Sequence, residues 1–243
     1  MAQNGKVALI TGANKGIGLE TARQLGQQGY TVLVGARDEA KGAEAIKALK
    51  DDGVNAQFLA LSPTDEASLK AAAATVEAKY GRLDVLVNNA GYGSFGTLAS
   101  EEALAEWHTT FAINVFGLVA TTQAFLPLIK KSEAGRIVHL TSILGSLTLT
   151  AAPDSPFAGY VGRCAAYGAS KAAVNMYTVH LAHELATTKI KVNAVHPGSV
   201  VTDMNPGGSI TVVEGARSSV EMATLGEEGP TGTFTHLGET LPW

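Results

Sequence analysis

Tyr167 and Lys171 stand four residues apart in "YGASK", in a stretch of helical period, so their side chains share one face. A tyrosine of ordinary pKa about 10 is a poor acid or base near neutral pH unless a cation stabilises its phenolate. At ~4 Å and an effective dielectric of ~20, a unit positive charge is worth about 4 kcal/mol, at most ~3 pKa units. Lys171 is such a cation, and the pair is expected to bring Tyr167 toward the working range of a proton donor. A solvated helix face also carries Tyr-x-x-x-Lys, so the pair needs company elsewhere in the chain. Tyr160, seven residues upstream, is followed by Cys164, which cannot stabilise a phenolate.

A second chemical feature is "TGANKGIG", residues 11–18. Glycines between a strand and a helix let backbone N–H groups approach a pyrophosphate at the positive end of the helix. Gly12, Gly16 and Gly18 are the candidates, with Asn14, Lys15 and Ile17 between them. The spacing G-x-x-x-G-x-G differs from the G-x-G-x-x-G of long dinucleotide-binding domains.

These features need elements to carry them. Short runs rich in Val, Ile and Leu lie at 6–10, 31–36, 55–61, 83–89, 136–142, 191–197 and 232–237. Helix-period stretches lie at 16–28, 39–51, 65–80, 101–131, 165–188 and 214–225. Strands apolar along their whole length are buried on both faces, so helices must cover both sides. The pattern predicts one α/β domain over 1–243, a doubly wound fold with a seven-stranded, mostly parallel sheet. In such a sheet ligands bind beyond the carboxyl ends of the strands.

Three further motifs fall at those ends or on a helix facing them: "NNAG" (88–91), Asn114 in "INVFG" on the helical stretch 101–131, and Ser142 closing "HLTS". With "TGANKGIG" and "YGASK", in this order and over essentially the whole chain, they resemble the short-chain dehydrogenase/reductase family. The resemblance implies a Rossmann fold and a catalytic set of Asn114, Ser142, Tyr167 and Lys171. In it Tyr167 gives its proton to a carbonyl oxygen as hydride reaches carbon, and Ser142 hydrogen-bonds that oxygen. Lys171 also holds the nicotinamide ribose, and Asn114 holds a water near the lysine. Thr141 competes with Ser142, but successive strand residues point oppositely, and the family motif selects Ser142. Singly, Ser142 could cap a strand and Asn114 could bond backbone within its helix.

The same resemblance assigns cofactor contacts to Gly12, Asn14, Lys15, Gly16, Ile17, Gly18, Asn89, Ala90 and Gly91, and to Tyr167 and Lys171. It adds Pro197, Gly198, Val200 and Thr202 from "HPGSVVTDM", where Pro-Gly is otherwise a simple turn. At the end of the second strand the family's NAD-type carboxylate is replaced by Ala36, followed by Arg37. A guanidinium recognises phosphate through paired charge-assisted bonds, and Lys15 adds a second cation, so NADP(H) is expected over NAD(H). Arg37 could otherwise be a solvated arginine. Asp38 is read as a helix N-cap, with an acidic ribose ligand as the other reading. After the third strand come Ser62, aligned with an adenine contact, and Pro63, which has no N–H to offer.

Ser142 and Tyr167 are 25 residues apart, about twice the spacing of tetrameric members. The inserted segment 143–166, with Pro153 and Pro156, is expected to be a loop beside the pocket. Monomeric carbonyl reductases carry an insertion there, so a monomer or dimer is favoured over a tetramer. A short substrate loop is expected at 198–213, leaving the pocket open to bulky ketones or aldehydes. Its walls are sought at Gly93, Leu144, Phe157, Tyr160, Cys164 and Met204 from chain position.

The chain has 16% charged residues, a net charge of -4 and no Lys/Arg block longer than Lys130-Lys131, which argues against nucleic-acid or anionic-lipid partners. One cysteine excludes an intrachain disulfide, and the apolar run near Met1 is too short for a signal peptide or membrane span, so a cytoplasmic location is expected. The histidines show no shared metal-ligand spacing. The function expected is NADPH-dependent reduction of a ketone or aldehyde to an alcohol by reversible hydride transfer, with Tyr167 as general acid/base. A 3-oxoacyl-carrier-protein reductase, docking through Lys130-Lys131, and a non-catalytic NADP-binding regulator are the alternatives.

Overall fold

The computed structural model describes residues 4–155, 157 and 159–243. Strand β1 (Val7–Thr11) leads into α1 (Gly16–Gln27), followed by β2 (Thr31–Ala36), α2 (Glu39–Asp51), β3 (Ala56–Ala60), α3 (Glu66–Tyr80) and β4 (Val85–Asn88). The second half runs α4 (Leu104–Phe111), a π-helical turn at Ala112–Gly117, α5 (Leu118–Ile129), β5 (Arg136–Leu140), a 3-10 turn at Ile143–Gly145 and α6 (Leu147–Ala151). It closes with α7 (Ala165–Glu184), β6 (Lys191–Val195), α8 (Val212–Ala223), β7 (Phe234–His236) and β8 (Glu239–Thr240).

The strands form one sheet in the order β3-β2-β1-β4-β5-β6-β7-β8. Neighbours are parallel through β7, and only β8 is antiparallel. Along β1 successive residues enter different cores. Ala8 and Ile10 join Leu25, Val32, Val34, Val220 and Met222 on the side of α1 and α8. Val7 and Leu9 join Leu69, Val76, Leu86, Phe125 and Leu181 on the side of α3, α5 and α7. Period-2 alternation into two apolar layers is why these strands read as unbroken apolar runs. The order reverses between β1 and β4, and that crevice opens at the strands' carboxyl ends.

Sequence expectation and structure differ at several places. An eighth strand of two residues follows β7, across a turn in which Leu237 (φ 48) and Gly238 (φ 83) are both left-handed. That geometry suits a two-residue hairpin, but two residues are too few to show a period. Helix α8 begins at Val212 rather than 214, because Thr211 and Glu214 form a reciprocal capping box, so the loop expected at 198–213 ends earlier. The segment 143–166 is not all loop. Ser142 accepts from the Leu144 N–H and Ser146 from the Leu149 N–H, starting the 3-10 turn and α6. Pro156 lies outside the described residues.

The continuous helical stretch Leu104–Ile129 is long and apolar enough to cross a membrane by length and composition. Here Leu118, Phe125, Leu128 and Ile129 pack into the interior instead.

His139, in the middle of β5, is fully buried. The Thr178 hydroxyl donates to the Val174 carbonyl at 2.8 Å, so at 2.9 Å it accepts from His139 Nδ1–H. Nε2 then has no partner among the described residues. A second proton would sit there unpaired in an apolar core, and burial pushes the imidazole pKa down to about 3. The unfolded chain takes up that proton below ~6.5 while the folded chain does not, so this stability is complete above that pH and lost toward the folded pKa. Stability is therefore expected to fall by ~1.4 kcal/mol per pH unit below ~6.5 from His139 alone. In denaturant titrations across pH 7 to 4.5, His139→Gln should flatten the slope; an unchanged slope would place the proton uptake elsewhere.

Candidate active site

The turn from β1 into α1 is built by close approach. Gly12 (φ +64) lies so near β4's end that a Cβ would sit 3.0 Å from Ala90 Cα, and at Gly18 it would sit 2.4 Å from Asn89 Nδ2. Asn89 Nδ2 donates to the carbonyls of Thr11 (2.8 Å) and Gly12 (3.3 Å). The Thr11 hydroxyl accepts from the backbone N–H groups of Asn89 and Ala90, each at 3.0 Å. Asn89 and Ala90, expected as cofactor contacts, thus spend these groups fastening the turn. Thr11, which opens the motif but was not singled out, is their shared anchor.

At the head of α1, Lys15 is the N-cap residue but makes no side-chain cap, and the first turn holds no acidic residue. The leading N–H groups there have no capping side chain, the arrangement that suits a phosphate. Gly16 (φ +58) faces open space, with only Thr202 Cγ2 at 3.9 Å from where a Cβ would be. Nearby, Arg37 is exposed and has no ion-pair partner among the described residues. Asp38 caps α2, accepting from the Lys41 N–H at 3.0 Å, in agreement with its N-cap reading.

Lys15 differs from expectation, because its ammonium pairs with Asp203 at 2.5 Å, tying the glycine turn to the segment after β6. Ser62 is partly turned inward: its N–H donates to Ser68 Oγ at 3.0 Å and its hydroxyl lies 3.4 Å from Thr64 Oγ1. Pro63 packs over Gly117, where a Cβ would approach to 2.9 Å.

The four expected catalytic residues converge beyond β4 and β5. Lys171 is buried, its Nζ 5.5 Å from the Tyr167 ring centroid and donating to the Leu140 carbonyl at 3.0 Å. Burial lowers Lys171 to about 8. Burial likewise pushes the Tyr167 phenol up to about 12, with the Ser142 hydroxyl pulling the other way. Burial sets the direction of the Tyr167 shift, and the Lys171 ammonium donates to the Leu140 carbonyl. Thr141 turns away from Ser142, its hydroxyl donating to the Lys171 carbonyl at 3.1 Å.

Asn114 sits in the π-helical turn, a distortion frequent at functional sites. Its side chain is committed: Oδ1 accepts from the Tyr92 N–H at 2.8 Å, and Nδ2 donates to the Tyr92 carbonyl (2.8 Å) and Ser170 Oγ (2.9 Å). Ser170 in turn donates to the Tyr167 carbonyl at 2.7 Å. Asn114 thereby links the loop after β4 to the helix bearing Tyr167. Gly91 leaves the intervening space clear, its absent Cβ lying 3.5 Å from Asn114 Oδ1 and 3.6 Å from Lys171 Nζ.

Among the expected pocket positions, Gly93 abuts Tyr167, where a Cβ would come within 2.8 Å of the ring. Tyr160 reaches the site through a residue that chain position did not suggest. Phe95 packs on Tyr167 (centroids 5.1 Å apart) and meets the Tyr160 edge at 6.5 Å. Leu144 lies alongside, its carbonyl 3.0 Å from where a Gly168 Cβ would be. Cys164 is buried at the head of α7, its thiol against the Tyr160 carbonyl at 3.2 Å, which makes it packing rather than wall. Phe157 takes part in a turn, its carbonyl accepting from the Tyr160 and Val161 N–H groups, and Met204 is exposed on the segment after β6.

That segment folds on itself. Val200 pairs with Ile210 and Thr202 with Asn205, and Thr202 Oγ1 accepts from the Asn205 N–H at 3.2 Å. Gly198, after Pro197, adopts φ +92, and a Cβ there would strike Ile210 at 2.5 Å. His196, just before them, accepts from the Ile143 N–H at 3.4 Å and lies tilted against His236 (centroids 5.0 Å apart), bracing the residue after Ser142.

The family model described as short chain dehydrogenase matches residues 6–209. A relative named short-chain dehydrogenase/reductase 1, from Saponaria officinalis, is 34% identical over 98% of this chain and 96% of its own length. A (+)-neomenthol dehydrogenase from Arabidopsis thaliana is 33% identical over 94% and 95%. The crystal structure of NADPH-bound carbonyl reductase from chicken fatty liver superposes with a TM-score of 0.86 at 30% identity, covering 100% of both chains.

The packing around Gly18 yields a direct test. Gly18→Ala forces its Cβ to 2.4 Å from Asn89 Nδ2 and 2.8 Å from the Gly12 carbonyl, and is expected to cost about 1–3 kcal/mol. Denaturant unfolding measures this, and a loss under ~0.5 kcal/mol would mean the turn is not locked as described.

Proposed function

The chain belongs to the short-chain dehydrogenase family, and from that premise we propose that it interconverts a ketone or aldehyde and its alcohol using NADP(H). The observation carrying this reading is the buried Lys171 ammonium beside Tyr167, beyond the strands' carboxyl ends and next to a helix N-terminus without a side-chain cap. Binding alone would not require a cation buried against a phenol.

The uncapped N–H groups at α1, the close glycines and the exposed Arg37 fit a dinucleotide with a 2'-phosphate. Gly12, Asn14, Gly16, Ile17 and Gly18 would cradle the pyrophosphate, with Arg37 on the 2'-phosphate. Lys15 would join it by leaving Asp203. Pro197, Gly198, Val200 and Thr202 would hold the nicotinamide end, which supplies the hydride. Tyr167 keeps its proton through the neutral range and can donate it to the carbonyl oxygen, which Ser142 orients. Lys171, charged below about 8, stabilises the phenolate left behind.

Phe95, packed on Tyr167, and Tyr160, packed on Phe95, are 37% and 44% exposed, so apolar surface lies open beside Tyr167. Apolar exposure beside a polar centre supports a hydrophobic substrate. The carrier-protein alternative loses support: Lys131 is paired with Glu77 at 2.7 Å, at the end of α5 that feeds the amino end of β5, opposite the site.

NADPH oxidation against a panel of aryl ketones, β-keto esters and an acyl-thioester mimic separates the readings. Reduction of at least one ketone is expected, with Tyr167→Phe lowering kcat by ~100-fold or more. NADPH binding without turnover of any carbonyl, with Tyr167→Phe silent, would favour the binding-only regulator. Arg37→Asp is expected to lower kcat/KM for NADPH at least ~10-fold relative to NADH, as the loss of a charge-assisted phosphate contact requires. An unchanged preference would remove Arg37 from the phosphate site.

A further inference from the structure

The first turn of α7 carries Tyr167 as its third residue, yet the helix supplies no cap of its own. Cys164 stands at the N-cap position without a side-chain bond to the helix, and no acidic residue lies in the first turn. The missing acceptor comes from 64 residues earlier: Glu102 Oε2 accepts from the Ala166 N–H at 2.9 Å. A carboxylate on a helix N-terminus satisfies an orphan donor and complements the helix dipole.

Glu102 is itself held in place. The Leu98 carbonyl accepts from the Glu101 and Glu102 N–H groups, both at 2.9 Å, forming a turn ahead of α4. Two backbone bonds join the same loop to the tail of the inserted segment: Gly96 N–H to the Arg163 carbonyl and Ala99 N–H to the Gly162 carbonyl, each 2.8 Å. Arg163 returns a side-chain bond to the Gly96 carbonyl at 3.1 Å. The loop after β4 and the insert therefore meet as one clasp, and Glu102 is its only contact by a charged group with the α7 backbone among the described residues.

We propose that Glu102 is the positioning residue of the catalytic helix, fixing the first turn of α7 so that the Tyr167 hydroxyl meets the substrate oxygen in register. The proposal rests on Tyr167 being the proton donor. Glu102 touches neither substrate nor cofactor; it acts through Ala166 on the next residue.

Glu102→Ala and Glu102→Gln test it, since a carboxamide oxygen can still accept from Ala166. Misplacement of a reacting group by about 1 Å can cost up to ~100-fold in rate. Glu102→Ala is therefore expected to lower kcat about 10-fold or more, with KM for NADPH within ~2-fold, while Glu102→Gln stays within ~3-fold of wild type. Hydrogen exchange across Ala165–Gly168 should accelerate in Glu102→Ala and not in Glu102→Gln. Wild-type kcat and wild-type exchange in Glu102→Ala would overturn the proposal, as would equal kcat losses in the two variants. If the wild-type chain reduces no ketone, the carbonyl-reduction reading falls, while the exchange comparison still decides whether Glu102 anchors the turn that bears Tyr167.

Discussion

Val7 and Leu9 point into one apolar layer while Ala8 and Ile10 point into the other, and this double burial governs what the rest of the molecule can do. A sheet covered on both faces offers no place along its strands for an unpaired polar group. Among the described residues His139 Nε2 and the Thr235 hydroxyl are exceptions, and His139 survives as a neutral ring bonded to Thr178. Polar chemistry is pushed to the strand ends, where the chain must turn anyway. At the carboxyl edge those turns bring together N–H groups that α1 leaves uncapped and the side chains carried in by α7 and the π-helical turn.

The same burial sets the electrostatics of the site. Sequence reasoning weighs a single Coulomb attraction between Lys171 and a Tyr167 phenolate. In the folded chain both groups lose water, and each is pushed toward its neutral form: the phenol up to about 12, the ammonium down to about 8. A neutral phenol is the right starting state for giving a proton to a carbonyl. In the proposed reaction the Lys171 charge would matter after transfer, once a phenolate has formed beside it. Burial and attraction would then act on different moments of that proposed step.

Much of this was legible in the sequence because it is local. β2 and α2 run over the residues their period indicates, and the glycine spacing, Ser142 and Tyr167-x-x-x-Lys171 each lie within a few residues of chain. Residues that matter through distant contacts left no such trace. Thr11 shows its role only when β4 is beside β1, and Phe95 only when the loop after β4 lies over α7. Lys15 reads as a phosphate ligand because nothing nearby in sequence reveals Asp203, 188 residues away. The start of α8 is a different kind of miss, since the Thr211–Glu214 capping box was there to be read.

The insert between Ser142 and Tyr167 shows how a departure from spacing can be absorbed without moving the site. Its first part is consumed by capped turns at Ser142 and Ser146, so β5 ends and α6 begins within a few residues. Its last part is gripped by the loop after β4, through Gly162, Arg163 and the Glu102 carboxylate. Thr141 on the Lys171 carbonyl and Asn114 on Ser170 hold α7 from two further sides. Length is free to vary between two fixed ends because loop closure costs grow only slowly with length. Tyr167, the proposed proton donor, lies immediately after the second end, one residue beyond the Ala166 N–H held by Glu102.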